Sequence, residues 1–167
     1  MSVLPDVLEP GLKVVFVGTA ASKKSAEIGA PYAGPGNRFW DMLYEIGLTP
    51  RRLDPREFRS VTQYGIGLTG MAPQSVGNDD SLRPEDFDPA GVRAKIEQFQ
   101  PRVLAFVGKR AAQEFFGRGG LSYGLQSEKV GESAIFVLPS TSGAARAFWQ
   151  PAYWHALASG IMTDDSR

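Results

Sequence analysis

The side chains of this sequence able to do chemistry fall in four places. The run Gly18-Thr19-Ala20-Ala21-Ser22 directly follows the apolar stretch Val14 to Val17 and leads into Lys23-Lys24-Ser25. An acidic pair, Asp79-Asp80, sits in a polar stretch between Pro73 and Pro84. A small-residue segment reads Ser140-Thr141-Ser142-Gly143-Ala144-Ala145-Arg146, and His155 is the single histidine. A loop leaving a buried strand is where α/β proteins place ligands and catalysis. GTAAS nevertheless carries no carboxylate, amide, imidazole or thiol, only hydroxyl groups and main chain.

Gly18 to Ser25 approximates the phosphate-binding pattern GxxxxGK[ST], with Lys23 in place of the second glycine. That glycine lets backbone N–H groups wrap a phosphate, so its loss weakens the nucleotide reading. The strand ends "GLTG", "FVGK" and "VLPS" also lack a magnesium-holding aspartate. Measurable affinity for ATP or GTP is the observation that supports this reading. A Ser/His/acid hydrolase is poorly served by one histidine in a Trp-rich segment and by the absence of a GxSxG elbow. With no cysteine and no second histidine, the usual ligands of a metal site are missing, and neither metal nor cofactor is expected.

The elements that must position these groups follow from local pattern. Val14–Val17, Ile66–Thr69, Val103–Val107 and Ile135–Leu138 read as short buried strands. Residues 19–36 read as loop, rich in Gly and Pro. Asn37 is expected to cap a helix that carries Phe39, Leu43 and Ile46 on one face and stops at Gly47. Asp88-Pro89 starts a second helix with Val92, Ile96 and Phe99 in one stripe, ended by Pro101. A third spans Lys109 to Phe116, and a closing helix begins near Pro151 with Trp154 and Leu157 inside. Strands alternating with helices predict an α/β three-layer sandwich around a central, largely parallel sheet, with residues 1–167 as one domain. Loops starting at Gly18, Thr69, Gly108 and Pro139 should then converge at one end of the sheet.

Composition narrows the partners. Hydrophobic residues make up 43% of the 167, enough for a substantial core. Lys+Arg and Asp+Glu number 18 each, so any attraction for polyanions must be local. Lys23-Lys24, Arg51-Arg52, Lys109-Arg110 and Arg146 are the clusters that could supply it. The start MSVLPDVLEPGLK has no basic segment followed by an apolar run. A cytoplasmic protein without membrane contact, acting as a monomer, is expected.

Three distant pieces, "VVFVGTAAS", "YAGPGNRFW" and "VLPSTSGAAR", together resemble the mismatch-specific uracil-DNA and thymine-DNA glycosylase branch of the uracil-DNA glycosylase superfamily. The resemblance extends from about Pro10 to Arg146 and includes "GLT" at 67–69 and "FQPRVLAFVGK" at 99–109. It implies a DNA-repair enzyme that flips uracil out of a G·U mismatch and hydrolyses the N-glycosidic bond. Its partner would be double-stranded DNA containing uracil or mismatches.

Carried over by position, the family's G-[IV]-N-P-G motif falls on Gly18 to Ser22. Ala20 stands where the family has its water-positioning asparagine, and Ala21 and Ser22 replace proline and glycine. The resemblance implies that Gly18, Ala20, Ala21, Ser22, Ser25 and Ser140 surround the base. It also implies that Tyr32 stacks on the base and that Asn37 lies nearby. Main-chain N–H groups of Thr19 to Ser22 and Tyr32 would face the base carbonyls. Thr141, Ser142, Gly143, Ala144, Ala145 and Arg146 match a loop that enters the duplex, with Ala144 as a small plug, and the Lys23-Lys24 cluster would add attraction for DNA phosphate. Asp80 or Asp79 is expected to replace the missing asparagine, with Thr19 as a further candidate. The alternative is a lesion-binding protein with little or no catalysis, favoured by Ala20.

Overall fold

The computed structural model describes residues 2–165, with side chains through Ile161. β1 (Val14–Gly18) is apolar up to Val17, and Val14, Val15, Phe16 and Val17 are all fully buried. Such a strand is stable only if both of its faces are covered. Val14 and Phe16 join one core, while Val15 and Val17 join another.

Around β1 lie β2 (Ile66–Gly70), β3 (Val103–Val107), β4 (Gly124–Val130) and β5 (Ser133–Leu138), in the order β2-β1-β3-β5-β4. The first three pairings are parallel, and β4 runs antiparallel to β5 at one edge. The chain moves outward from β1 to β2 and then returns to the other side of β1. That reversal opens a crevice at the carboxyl ends of β1 and β3.

One outer layer contains α2 (Phe39–Glu45), a 3-10 segment (Pro55–Tyr64) and α5 (Ala152–Asp165). Phe39, Leu43, Phe58, Val61, Trp154 and Leu157 pack from it onto the sheet. The opposite layer contains α3 (Pro89–Phe99) and α4 (Lys109–Phe116), which contribute Val92, Ile96, Ala111, Ala112 and Phe115. The three-layer α/β sandwich with a largely parallel sheet is therefore the fold observed. No helix among the described residues is long and apolar enough to cross a membrane.

Three local features differ from the sequence expectation. The stretch 19–36 is not all loop, because α1 (Lys23–Ile28) forms within it. The Ser22 hydroxyl accepts from the Ser25 N–H at its start, and Gly29 ends it at φ 79°. Six residues without an apolar stripe gave no periodic signal. Asn37 is not the capping residue of α2; Arg38 occupies that position, with no side-chain cap bond. The Asn37 Oδ1 still accepts from the Phe39 N–H, the first N–H of α2, at 3.0 Å. Finally, β4 was hidden by its polar composition. It is an edge strand of alternating exposure, buried at Gly124 and Val130 and joined to β5 by the tight turn at Gly131.

Candidate active site

The crevice holds a cavity of about 470 Å³. Gly18, Thr19, Ala20, Ala21 and Ser22 form one wall, and Ser25, Tyr32 and Asn37 continue it. Asp79 and Asp80 come from the segment after β2, and Ser140, Thr141, Ser142, Ala144 and Ala145 from the segment after β5. Lys23, Lys24, Gly143 and Arg146 lie outside this lining; both lysines and Arg146 are exposed. Val3 to Asp6 also border the cavity, a contribution that no sequence signal announced.

The GTAAS loop is held by the chain that follows β2. Gly18, Thr19 and Ala21 carbonyls accept from the N–H groups of Met71, Ala72 and Gly77 at 2.8, 3.0 and 2.9 Å. These bonds continue the parallel pairing past the end of β1 and fix the loop's path. A side chain at Gly18 would meet the Tyr32 hydroxyl at 2.8 Å, closer than packed atoms allow. Gly18→Ala is therefore expected to lower the melting temperature by roughly 2–6 °C, from about 1–2 kcal/mol of overpacking. Tyr32→Phe, which removes the clashing oxygen, should recover much of that loss in a thermal-unfolding comparison.

Tyr32 is set firmly. Its ring stacks on Phe39 at 3.9 Å between centroids and 16° between planes. Its φ of 54° is unusual for a non-glycine residue and is imposed by the bonds on either side. The Pro31 carbonyl accepts from Trp40 Nε1 at 3.0 Å, and the buried Ser25 Oγ accepts from the Ala33 N–H at 3.0 Å. Ser25 thus acts mainly in locating the Tyr32 turn. Burial raises the Tyr32 phenol pKa, so the ring keeps its proton across the neutral range.

Asp79 and Asp80 are separated by their surroundings. Thr19 Oγ1 donates to Asp79 Oδ1 at 2.6 Å, joining the β1 loop to the β2 loop inside the cavity. Asp79 is half-buried, whereas Asp80 is exposed. Arg110 on α4 holds the turn: its guanidinium donates to the Asp79 carbonyl at 3.0 Å and to the Leu82 carbonyl at 3.1 Å. The same group pairs with Glu114 and lies over Phe87. Arg110 is thus committed within the fold, although its sequence neighbourhood suggested attraction for phosphate. Its positioning role shows only when α4 is packed beside the loop.

The segment after β5 is equally tied. Trp154 Nε1 donates to the Pro139 carbonyl at 3.1 Å, and the Thr141 carbonyl accepts from the Arg38 N–H at 2.9 Å. Ser142 Oγ accepts from the Ala144 N–H at 3.2 Å and so starts the 3-10 segment Gly143–Phe148. A side chain at Gly143 would meet the Pro35 carbonyl at 3.2 Å, so glycine lets these two loops pack closely, and a larger residue would push them apart by a few tenths of an ångström. Thr141 Oγ1 is buried at the cavity wall and has no hydrogen-bond partner among the described residues. His155 is exposed on α5, at 4.0 Å from Glu45, and is no part of the cavity. Phe148 is exposed at the cavity rim, and a lone aromatic of this kind gives no periodic signal in the sequence.

A largely parallel α/β sheet with a cavity at its strand ends, walled by small-residue loops, is the layout of an α/β protein with its ligand crevice at the carboxyl ends of the strands. The sequence matches the uracil DNA glycosylase superfamily over residues 5–158, and the chain belongs to that superfamily. A solution structure from Methanosarcina acetivorans, described as "a putative Uracil DNA glycosylase", is similar in fold. It superposes with a TM-score of 0.63 at 20% identity, over 95% of this chain and 96% of that one.

Proposed function

We propose that the chain is a monofunctional DNA-repair glycosylase that excises uracil from G·U mismatches in double-stranded DNA, with Asp79 in place of the asparagine missing at Ala20. The observation that carries this is the Thr19–Asp79 hydrogen bond, which holds a carboxylate in the cavity beside Ala20. Superfamily membership supports the reaction class. The unpartnered Thr141 hydroxyl supports a polar ligand in the same cavity.

In this mechanism a wobble pair lowers the few-kcal/mol cost of extruding the base. The uracil enters beside Gly18 to Ser22, with Tyr32 as its stacking surface. The bond between the sugar C1′ and the base nitrogen breaks, and its electron pair leaves with uracil. Main-chain N–H groups of the β1 loop stabilise the departing anion as an oxyanion hole does. Asp79 favours the cationic sugar, orients a water toward C1′ and accepts the proton released when the new C–O bond forms. Thr19 fixes the carboxylate. Arg146 and the Lys23-Lys24 pair contact phosphate, and the segment Ser142 to Ala145 lies against the opened stack.

A duplex carrying one uracil opposite guanine tests this directly, with enzyme in excess and alkali-labile sites counted over time. Strand scission after alkali supports the glycosylase. The second reading, a lesion binder with little catalysis, rests on Ala20, which offers no amide to water. Tight binding without scission would establish that reading, and absence of both binding and scission would sink each of them.

A further inference from the structure

A second cavity of about 310 Å³ opens beside the first, and Asp79, Ser140 and Phe148 belong to the walls of both. Gly108, Lys109 and Tyr123 line the second cavity and not the first. Lys109 Nζ stands 4.4 Å from the centre of the Tyr123 ring. Phe148, on the shared wall, is 67% exposed and so leaves apolar surface within reach of a ligand. Asp79 lines both cavities, and its Oδ1 accepts from Thr19, which lines only the first. The second cavity therefore presents one cation and two aromatic rings. That set suits a phosphodiester joined to a planar base, held by charge and stacking without reading the base edge.

We infer that the second cavity is a subsite for the nucleotide next to the extruded one on the same strand. Lys109 takes the phosphate between the two nucleotides, and Tyr123 and Phe148 hold the neighbouring base. The inference rests on the glycosylase reading of the first cavity and adds a consequence. Contacts along one strand let a single-stranded oligonucleotide report on this subsite.

The test uses short single-stranded oligonucleotides with deoxyuridine at the 5′ end, at the 3′ end or internal. For the intact protein, adding one nucleotide on one particular side should lower KM about tenfold with little change in kcat, as one stacked base and one phosphate imply. Lys109→Gln and Tyr123→Leu should each remove most of that gain and leave the substrate lacking that nucleotide within about twofold. Lys109→Gln should also lessen the slope of log affinity against log salt by roughly 0.7, one phosphate's share on a single strand. Equal gains in wild type and both variants would overturn the subsite. If wild type cleaves none of these single-stranded substrates, excision from the G·U duplex alone decides the catalytic reading. The subsite is then judged by fluorescence anisotropy with the same oligonucleotides, where unchanged affinity and salt slope in the variants overturn it. Should Tyr123→Leu fail to fold, Lys109→Gln decides alone, because its side chain lies at the surface of the cavity and not in the core.

Discussion

Asp79→Asn is expected to lower single-turnover excision of uracil by about a hundredfold or more, the usual contribution of a positioned general base. Affinity for the uracil-containing duplex should stay within about threefold, because the substitution keeps shape and still accepts a bond from Thr19. The same change at Asp80 should reduce the rate by less than about threefold, since that side chain is exposed and makes no hydrogen bond with Thr19. Thr19→Val should fall between the two, for it frees the carboxylate without removing it. Single-turnover rates and binding isotherms for the three variants rank the candidates. Equal, small losses at Asp79 and Asp80 would remove the carboxylate from the mechanism.

Trp154→Ala should be the most destabilising single change near the site. Its side chain is fully buried, stacks on Phe16 at 5.7 Å and meets Phe39 edge-on at 6.1 Å. Truncating a buried aromatic of this size costs about 3–5 kcal/mol. For a domain of this length that corresponds to a drop in melting temperature of roughly 10 °C. The Pro139 carbonyl also loses its buried donor, which loosens the loop that follows it. Trp154→Phe separates the two effects. It refills most of the volume but not the hydrogen bond, so it should recover much of the stability while the activity of the folded protein stays reduced. Thermal unfolding beside excision rates, corrected for folded fraction, checks both parts.

Both predictions concern groups whose roles were unevenly visible in the chain. Val14 to Val17 and Val103 to Val107 are short continuous apolar runs, and only a strand covered on both faces accommodates them. Asp88-Pro89 marked the start of α3, and the Asp88 side chain does accept from the Gly91 N–H. The absence of an amide from Gly18 to Ser22 was equally plain, and so was the presence of two aspartates after β2.

The amino-acid sequence by itself thus determined the alternation of strands and helices, the loops that end at the sheet's crevice and the absence of any amide side chain from Gly18 to Ser22. Those properties are local, set by side-chain periodicity, backbone restriction and residue identity. Only the tertiary structure set the surroundings of Asp79 apart from those of Asp80, because Thr19 and Asp79 are sixty positions apart and meet through the parallel register of β1 with β2. It likewise drew Arg110 onto the Asp79 turn and set Lys109 and Tyr123 around a second cavity. Contacts of that range depend on which strands pair and how helices pack over them, and no local pattern in the chain encodes the meeting of two particular side chains.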